Sequence, residues 1–228
     1  MRLIRFLTTA LVLLCASAPA FAQEWTEFKS LTDRFTVNLP GQPAVKDITW
    51  PSEYGAVFPG RVYSLDQGAN HYSITVIDYT DAERVHAQRT NHTEADSGNT
   101  YWRVDIQASI AYAATKFRQR PGVKVTFDAY HYIDLVSGHQ LQLTNPDQSR
   151  TFAGIYLHEN RLYILEATVP PRAPQPGLFQ QSVGFLDAAG NHVRYREIYF
   201  NKLPPVRTGR DGLVGGQGGR QGGRGGAQ

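Results

Sequence analysis

The sequence predicts an α+β fold: a mainly antiparallel β-sheet flanked by helices on both faces. Three observations carry that expectation. Runs with strand patterning follow one another through turns rather than through helices, which is how antiparallel sheets are wired. The run Leu162–Val169 is apolar at odd and even positions alike, so it belongs in the middle of a sheet covered above and below. Residues 101–118 carry Trp102, Ile106, Ile110, Ala113 and Phe117 three or four positions apart, one apolar helical stripe.

The chain has 228 residues, 41% of them hydrophobic and 19% charged. That balance suits one globular domain and excludes a polytopic membrane protein or a wholly disordered chain. Arg2 and Arg5, the short apolar run Phe6–Ala16, and Ala20-Phe21-Ala22 have the layout of a cleaved export signal. Residues 1–22 are therefore expected to leave, 23–206 to form a single domain, and 207–228 to be a disordered tail rich in glycine and arginine. The expected location is periplasmic or secreted, with no membrane span once the signal is removed. Cys15 is the only cysteine and leaves with the signal, so neither a disulfide nor thiolate chemistry is expected. The formal charge of +3 comes from the two ends. Residues 23–206 hold seventeen basic and nineteen acidic side chains, which argues against a nucleic-acid face.

The elements follow in order. Phe35, Val37 and Leu39 alternate with polar residues as a half-buried strand, stopped by Pro40-Gly41-Gln42-Pro43. Val45–Trp50 is a weaker strand. Arg61–Asp66 and His71–Tyr79 form a hairpin around Gln67-Gly68-Ala69-Asn70. Thr80-Asp81-Ala82-Glu83 has capping-box spacing for a short helix to about Gln88. Thr90–Thr100 reads as a loop. The helix over 101–118 ends at Pro121-Gly122. Val123, Val125, Phe127, Ala129, His131, Ile133 and Leu135 are all odd positions and should line one face, with Gly138 allowing the reversal. Strands around Leu141–Leu143, Thr151–Leu157 and Leu162–Val169 come next. A stiff connector, Pro170–Pro176, leads to a short helix, Gly177–Leu186. A turn at Asp187–Asn191 and a last strand, His192–Phe200, complete the body.

Trp25-x-x-Phe28-x-Ser30, Phe35-x-Val37-x-Leu39-Pro40-Gly41-x-Pro43, Arg161-Leu162-Tyr163-Ile164 and Phe179-x-x-Ser182 resemble a group of uncharacterised bacterial exported proteins. The element order is also similar to the PsbP-like fold, an antiparallel sheet with helices on both faces. The resemblance spans roughly 25–186 and implies a fold rather than an activity. The matched positions look structural, so no functional residue is carried over. Residues 187–200 and the tail depart from the pattern.

Candidate chemistry is sparse. No Gly-x-Ser-x-Gly nucleophile turn and no phosphate-binding glycine loop occur. Glu83-x-x-His86 has a metal-site spacing but occurs once, so a solvated helix face is expected. His131 interrupts the apolar stripe and Glu166 lies in the most covered strand. Facing each other, they would form a perturbed acid–base pair. Trp50, Tyr54, Phe58 and Tyr63 concentrate aromatic surface in what reads as a loop, able to clamp a peptide or stack on a sugar. The candidate ligand-binding residues are thus Trp50, Tyr54, Phe58, Tyr63, His131 and Glu166, with neither a cofactor nor a metal expected. The leading expectation is a non-enzymatic domain that binds or supports an envelope protein. The alternatives are a periplasmic hydrolase or a small-ligand carrier working through residues 50–63 or the His131/Glu166 region.

Overall fold

The computed structural model describes residues 24–90 and 100–203. The expected signal, the tail and most of the loop over 90–100 lie outside them. Ten strands and three helices follow in the order β1 (Thr26–Ser30), β2 (Phe35–Leu39), β3 (Ala44–Pro51), β4 (Val57–Gln67), β5 (Asn70–Asp78), α1 (Ala82–Ala87), α2 (Tyr101–Arg118), β6 (Lys124–Ile133), β7 (Val136–Thr144), β8 (Arg150–His158), β9 (Arg161–Val169), α3 (Gly177–Gln180) and β10 (Gly184–Phe185). Seven strands form one sheet in the order β3-β4-β5-β9-β8-β7-β6, and β1-β2-β10 form a small second sheet. All their pairings are antiparallel.

The large sheet is two meanders, β3-β4-β5 and β6-β7-β8-β9, joined by the β5–β9 pair. The helical crossover from β5 to the far edge carries α2 over β7, β8 and β9. On that first face Trp102, Ile106, Ala113 and Phe117 pack with Leu141, Ile155 and Ile164. The second face carries Tyr72, Ile74, Tyr156, Tyr163 and Leu165 and packs against Phe35, Val37, Leu39 and Phe185 of the small sheet. β9 sits fourth of seven with both faces covered, as its unbroken apolar run requires. The expected helix on both faces is therefore corrected: the second layer is a sheet, with only the one-turn α3 beside it. Phe179, Val183 and Leu186 are buried as expected, but α3 stops at Gln180 and Gly184–Phe185 pair with β2.

Four further local expectations change. The Thr80 amide and hydroxyl both donate to Asp78 Oδ1 at 2.9 and 2.6 Å, and α1 begins after Asp81 without a side-chain cap. The β6 stripe is broken by an irregularity between Val125 and Phe127. Val125 pairs with Leu143 and shares the α2 face, whereas Phe127, Ala129, His131 and Ile133 pair with Gln142, Gln140, Gly138 and Val136 on the other. One inserted residue reverses the facing of everything after it. The reversal before β7 uses Asp134 and Leu135, both at positive φ. Gly138 lies inside β7, where a Cβ would sit 2.3 Å from the Ile155 carbonyl oxygen and the Tyr156 ring. Finally, residues 192–200 run without a strand, held by single bridges Leu186–His192 and Val136–Tyr199.

Candidate functional site

The aromatic stretch over 50–63 is a hairpin rather than a loop. Trp50 of β3 pairs with Phe58 of β4. Trp50 meets Tyr112 of α2 edge-on, with rings 6.0 Å apart, and the Lys116 ammonium stands 5.3 Å from the indole. Tyr54 packs edge-on against Tyr101 at 5.0 Å. Phe58 is buried against Tyr79 at 4.2 Å. Tyr63 points to the opposite face, because five residues along a strand reverses the side. Trp50 and Phe58 thus belong to one core, Tyr63 to the other, and Tyr54 stays at the turn beside α2.

His131 and Glu166 also part. Glu166 pairs with Ala153, and Ala153 with Leu141, so it belongs to the α2 face. His131 pairs with Gly138, and Gly138 with Tyr156, which belongs to the second face. Three strand steps, roughly 14 Å across the sheet, and a three-residue offset along β6 separate them, with the sheet between. Glu166 accepts two hydrogen bonds from Arg120, at 2.6 and 2.8 Å. His131 Nδ1 lies 2.9 Å from the Tyr156 hydroxyl, and burial lowers its pKa. No acid–base pair forms between them.

Two buried aspartates organise the polar interior, and neither stood out in the sequence. On the α2 face, Asp105 Oδ2 accepts from Ser52 Oγ at 2.6 Å and lies 2.8 Å from His86 Nε2. One carboxylate so ties the β3–β4 turn, α1 and α2 together. His86 is buried in this contact, not on a solvated face. The three residue types are those of a hydrolase triad, but their order is different. A triad needs the imidazole between carboxylate and hydroxyl so that it can take the hydroxyl proton. Here the carboxylate stands between, and it occupies the Ser52 hydroxyl as an acceptor. The arrangement holds a turn and does not activate a nucleophile.

On the second face, Asp33 follows β1. Its Oδ1 accepts from Arg61 Nη1 at 2.5 Å and its Oδ2 from the Tyr63 hydroxyl at 2.6 Å. Its backbone carbonyl accepts from the Tyr163 hydroxyl at 2.8 Å. Burial, then the bond to Asp33, pushes Tyr63 up to about 12, so it stays a donor at neutral pH. The helix periodicity of Asp105 places it on the Trp102–Ile106 side, and that offset was the available signal. Asp33 gave none, since the partners of its carboxylate and carbonyl lie 28 to 130 residues away.

At the edge of the first layer, Arg118 donates to Asp128 at 2.6 and 2.9 Å, and the His139 imidazole joins the same carboxylate at 2.5 Å. The Arg118 bond holds Asp128 down at about 2. Among the described residues no group of three or more His, Cys, Asp or Glu is placed to hold a metal ion. None of the described helices is long and apolar enough to cross a membrane. A pocket of about 260 Å³ opens between the β4–β5 turn, Trp25, and the connector Ala173–Leu178. None of the six candidate residues lines it.

No family model and no curated protein matches the sequence. Among solved structures, cyanobacterial PsbP (CyanoP) from Synechocystis sp. PCC 6803 is similar over 68% of this chain and 85% of its own, with 9% identity and a TM-score of 0.35. PA94 of Pseudomonas aeruginosa, a protein of unknown function, is similar over 65% of this chain and 84% of its own, with 12% identity and a TM-score of 0.25. At these scores the likeness carries no argument about activity, ligand or partner.

Proposed function

We propose that the protein is an exported, non-enzymatic domain that binds another protein of the bacterial envelope, and that β6 is the strand it binds through. The signal-like N-terminus motivates export. The contrast between the two edges of the large sheet carries the binding reading.

At one edge, β3 presents Lys46 and Asp47 and ends on Pro51, features that discourage strand addition. At the other, β6 is ten residues long with seven of them exposed, and of its two charged residues, Lys124 and Asp128, the second is held by Arg118 and His139. Phe127 is 42% exposed, Tyr130 55% and Tyr132 50%. They stand on both faces of the strand, since Tyr130 and Tyr132 pair with His139 and Ser137 while Phe127 pairs with Gln142. A backbone edge unpaired among the described residues, between aromatic side chains, suits an extended peptide that adds as an eighth strand. Backbone pairing would give affinity, and the rings would select side chains.

A photoreactive phenylalanine analogue at Tyr130, expressed in the native host, tests this. A discrete protein adduct is expected from position 130 and none from Val45 on β3. Absence of any adduct at 130, or the same adducts from both edges, removes the reading.

A further inference from the structure

We infer that the pocket beside Trp25 binds the ring of a neutral sugar. This goes beyond the β6 reading. The pocket lies at the β4–β5 turn and the end of β9, and β8 and β7 stand between β9 and β6.

Three features of the wall select the ligand class. The first is charge. None of the lining residues carries one. An ionic ligand entering a partly enclosed site would lose hydration without gaining a counter-charge, a net cost. The second is hydrogen bonding. Gln67, Asn70 and Gln175, all with amide side chains, are among the lining residues, and Asn70 and Gln175 each keep donor or acceptor positions beyond their bonds to Tyr72 and Gln180. An amide both donates and accepts, and so does a hydroxyl, so amides match a ligand whose polar groups are hydroxyls. A purely apolar ligand would cover those amides without bonding to them.

The third is the apolar corner. The Trp25 and Tyr72 rings meet at 81° with centroids 5.4 Å apart. Pro174 and Pro176 extend that surface. A sugar ring has an apolar C–H face and a rim of hydroxyls, which is the pattern this wall complements. Its size fits the same class. About 260 Å³ is just below the ~300 Å³ at which drug-sized sites begin, so it holds one ring rather than a chain.

The site is preorganised. The Asn70 amide hydrogen-bonds the Tyr72 hydroxyl, and Tyr72 packs on Phe179 at 5.3 Å. Gln175 Nε2 donates to Gln180 Oε1 at 3.1 Å, which sets the direction of its remaining amide positions. Proline fixes the connector's backbone, so little freedom is lost on binding.

Proton–nitrogen correlation spectra of the full protein test the assignment. The probes are glucose, galactose, N-acetylglucosamine and glucuronate. A saturable shift of the Trp25 indole signal is expected with at least one neutral sugar, with a Kd on the order of 1–10 mM because one ring makes few contacts. The Trp50 and Trp102 indole signals should stay in place. Asn70→Ala and, independently, Gln175→Ala should each weaken binding at least about tenfold, roughly one lost hydrogen bond. Gln175 is exposed in the connector, so its replacement keeps the test valid if Asn70→Ala unfolds the hairpin. A Trp25 signal that no neutral sugar moves at about 50 mM, well above the expected Kd, overturns the inference. So does an equal response to glucuronate, or a shift that Gln175→Ala leaves unchanged.

Discussion

Asp105 and Asp33 do similar work on opposite faces of the large sheet, and they do it by different means. Asp105 is 1% exposed and lies on the buried side of α2, where one oxygen serves Ser52 and His86. Asp33 is 6% exposed and sits where the small sheet meets the large one, with each oxygen serving a separate donor. The helix face is packed mainly by aliphatic side chains and needs one polar pin. The second face includes four buried tyrosines, Tyr63, Tyr72, Tyr156 and Tyr163, whose hydroxyls each require a partner when buried. The difference teaches that the second layer is held by directional bonds as well as by area.

The largest test asks whether the two faces form one cooperative core. Ile106→Ala on the α2 face should cost about 2–5 kcal/mol, and Phe35→Ala on the second face about 3–5 kcal/mol. Both side chains have no exposed surface. Urea unfolding followed by near-ultraviolet circular dichroism should show one transition in each variant. Two separated transitions in the Phe35 variant would mean that the small sheet detaches by itself, and the comparison would become one between two folding units.

Breaking the helix-face pin comes next. Asp105→Ala leaves Ser52 and His86 buried without their shared partner, a loss of about 3 kcal/mol. Asp33→Ala should cost about 2 kcal/mol, because Arg61 can turn to solvent. Equal midpoints for the two variants in a urea series would contradict the difference drawn between the faces.

A pH series probes the second face alone. His158 is fully buried, stacks on Phe185 at 4.6 Å, and shares a 2.7 Å hydrogen bond with Tyr195. Burial holds its imidazole down at about 4. In the unfolded chain it protonates near 6.5, so between these values the unfolded state binds more protons. This stability is therefore complete above about pH 6.5 and is lost as the pH falls toward 4, by roughly 3 kcal/mol over the full span. His158→Phe should flatten that part of the stability–pH curve. An unchanged slope would show that the proton uptake belongs to other groups.

The smallest effect is Tyr63→Phe, which removes one bond to Asp33 and should cost about 1 kcal/mol. Thermal melts resolve that. A neutral result would mean that Arg61 alone holds the Asp33 carboxylate, and that the second face depends less on hydroxyl bonds than argued above.

The limits of most strands were legible because they rest on local signals. Alternation named β2 and β5, turn signals bounded β8, and the helix stripe over Tyr101–Arg118 matches α2. Gly68 at positive φ turns the β4–β5 hairpin, as its place between two strand runs suggested. Failures came where a nonlocal choice overrode the pattern. The irregularity in β6 moved His131 to the face opposite Glu166. Trp50 and Phe58 stand close in sequence as an aromatic pair, but a hairpin under α2 buries Phe58 and half-buries Trp50. The Trp25 pocket had a weaker signal still. Its wall joins the first strand's approach, a hairpin turn and the proline connector, which are far apart in the chain.

Sequence alone settled the order of the elements from β2 to β9, the antiparallel wiring and the central place of Leu162–Val169. Those follow from periodicity and turn chemistry, which act over a few residues. Only the tertiary structure decided that a sheet rather than a helix covers the second face, which partners the buried carboxylates take, and which strands lie at the two edges. Ser52 meets Asp105 across 53 residues and Tyr163 meets Asp33 across 130. Contacts at that range depend on which layers stack, and no short window of the chain records it.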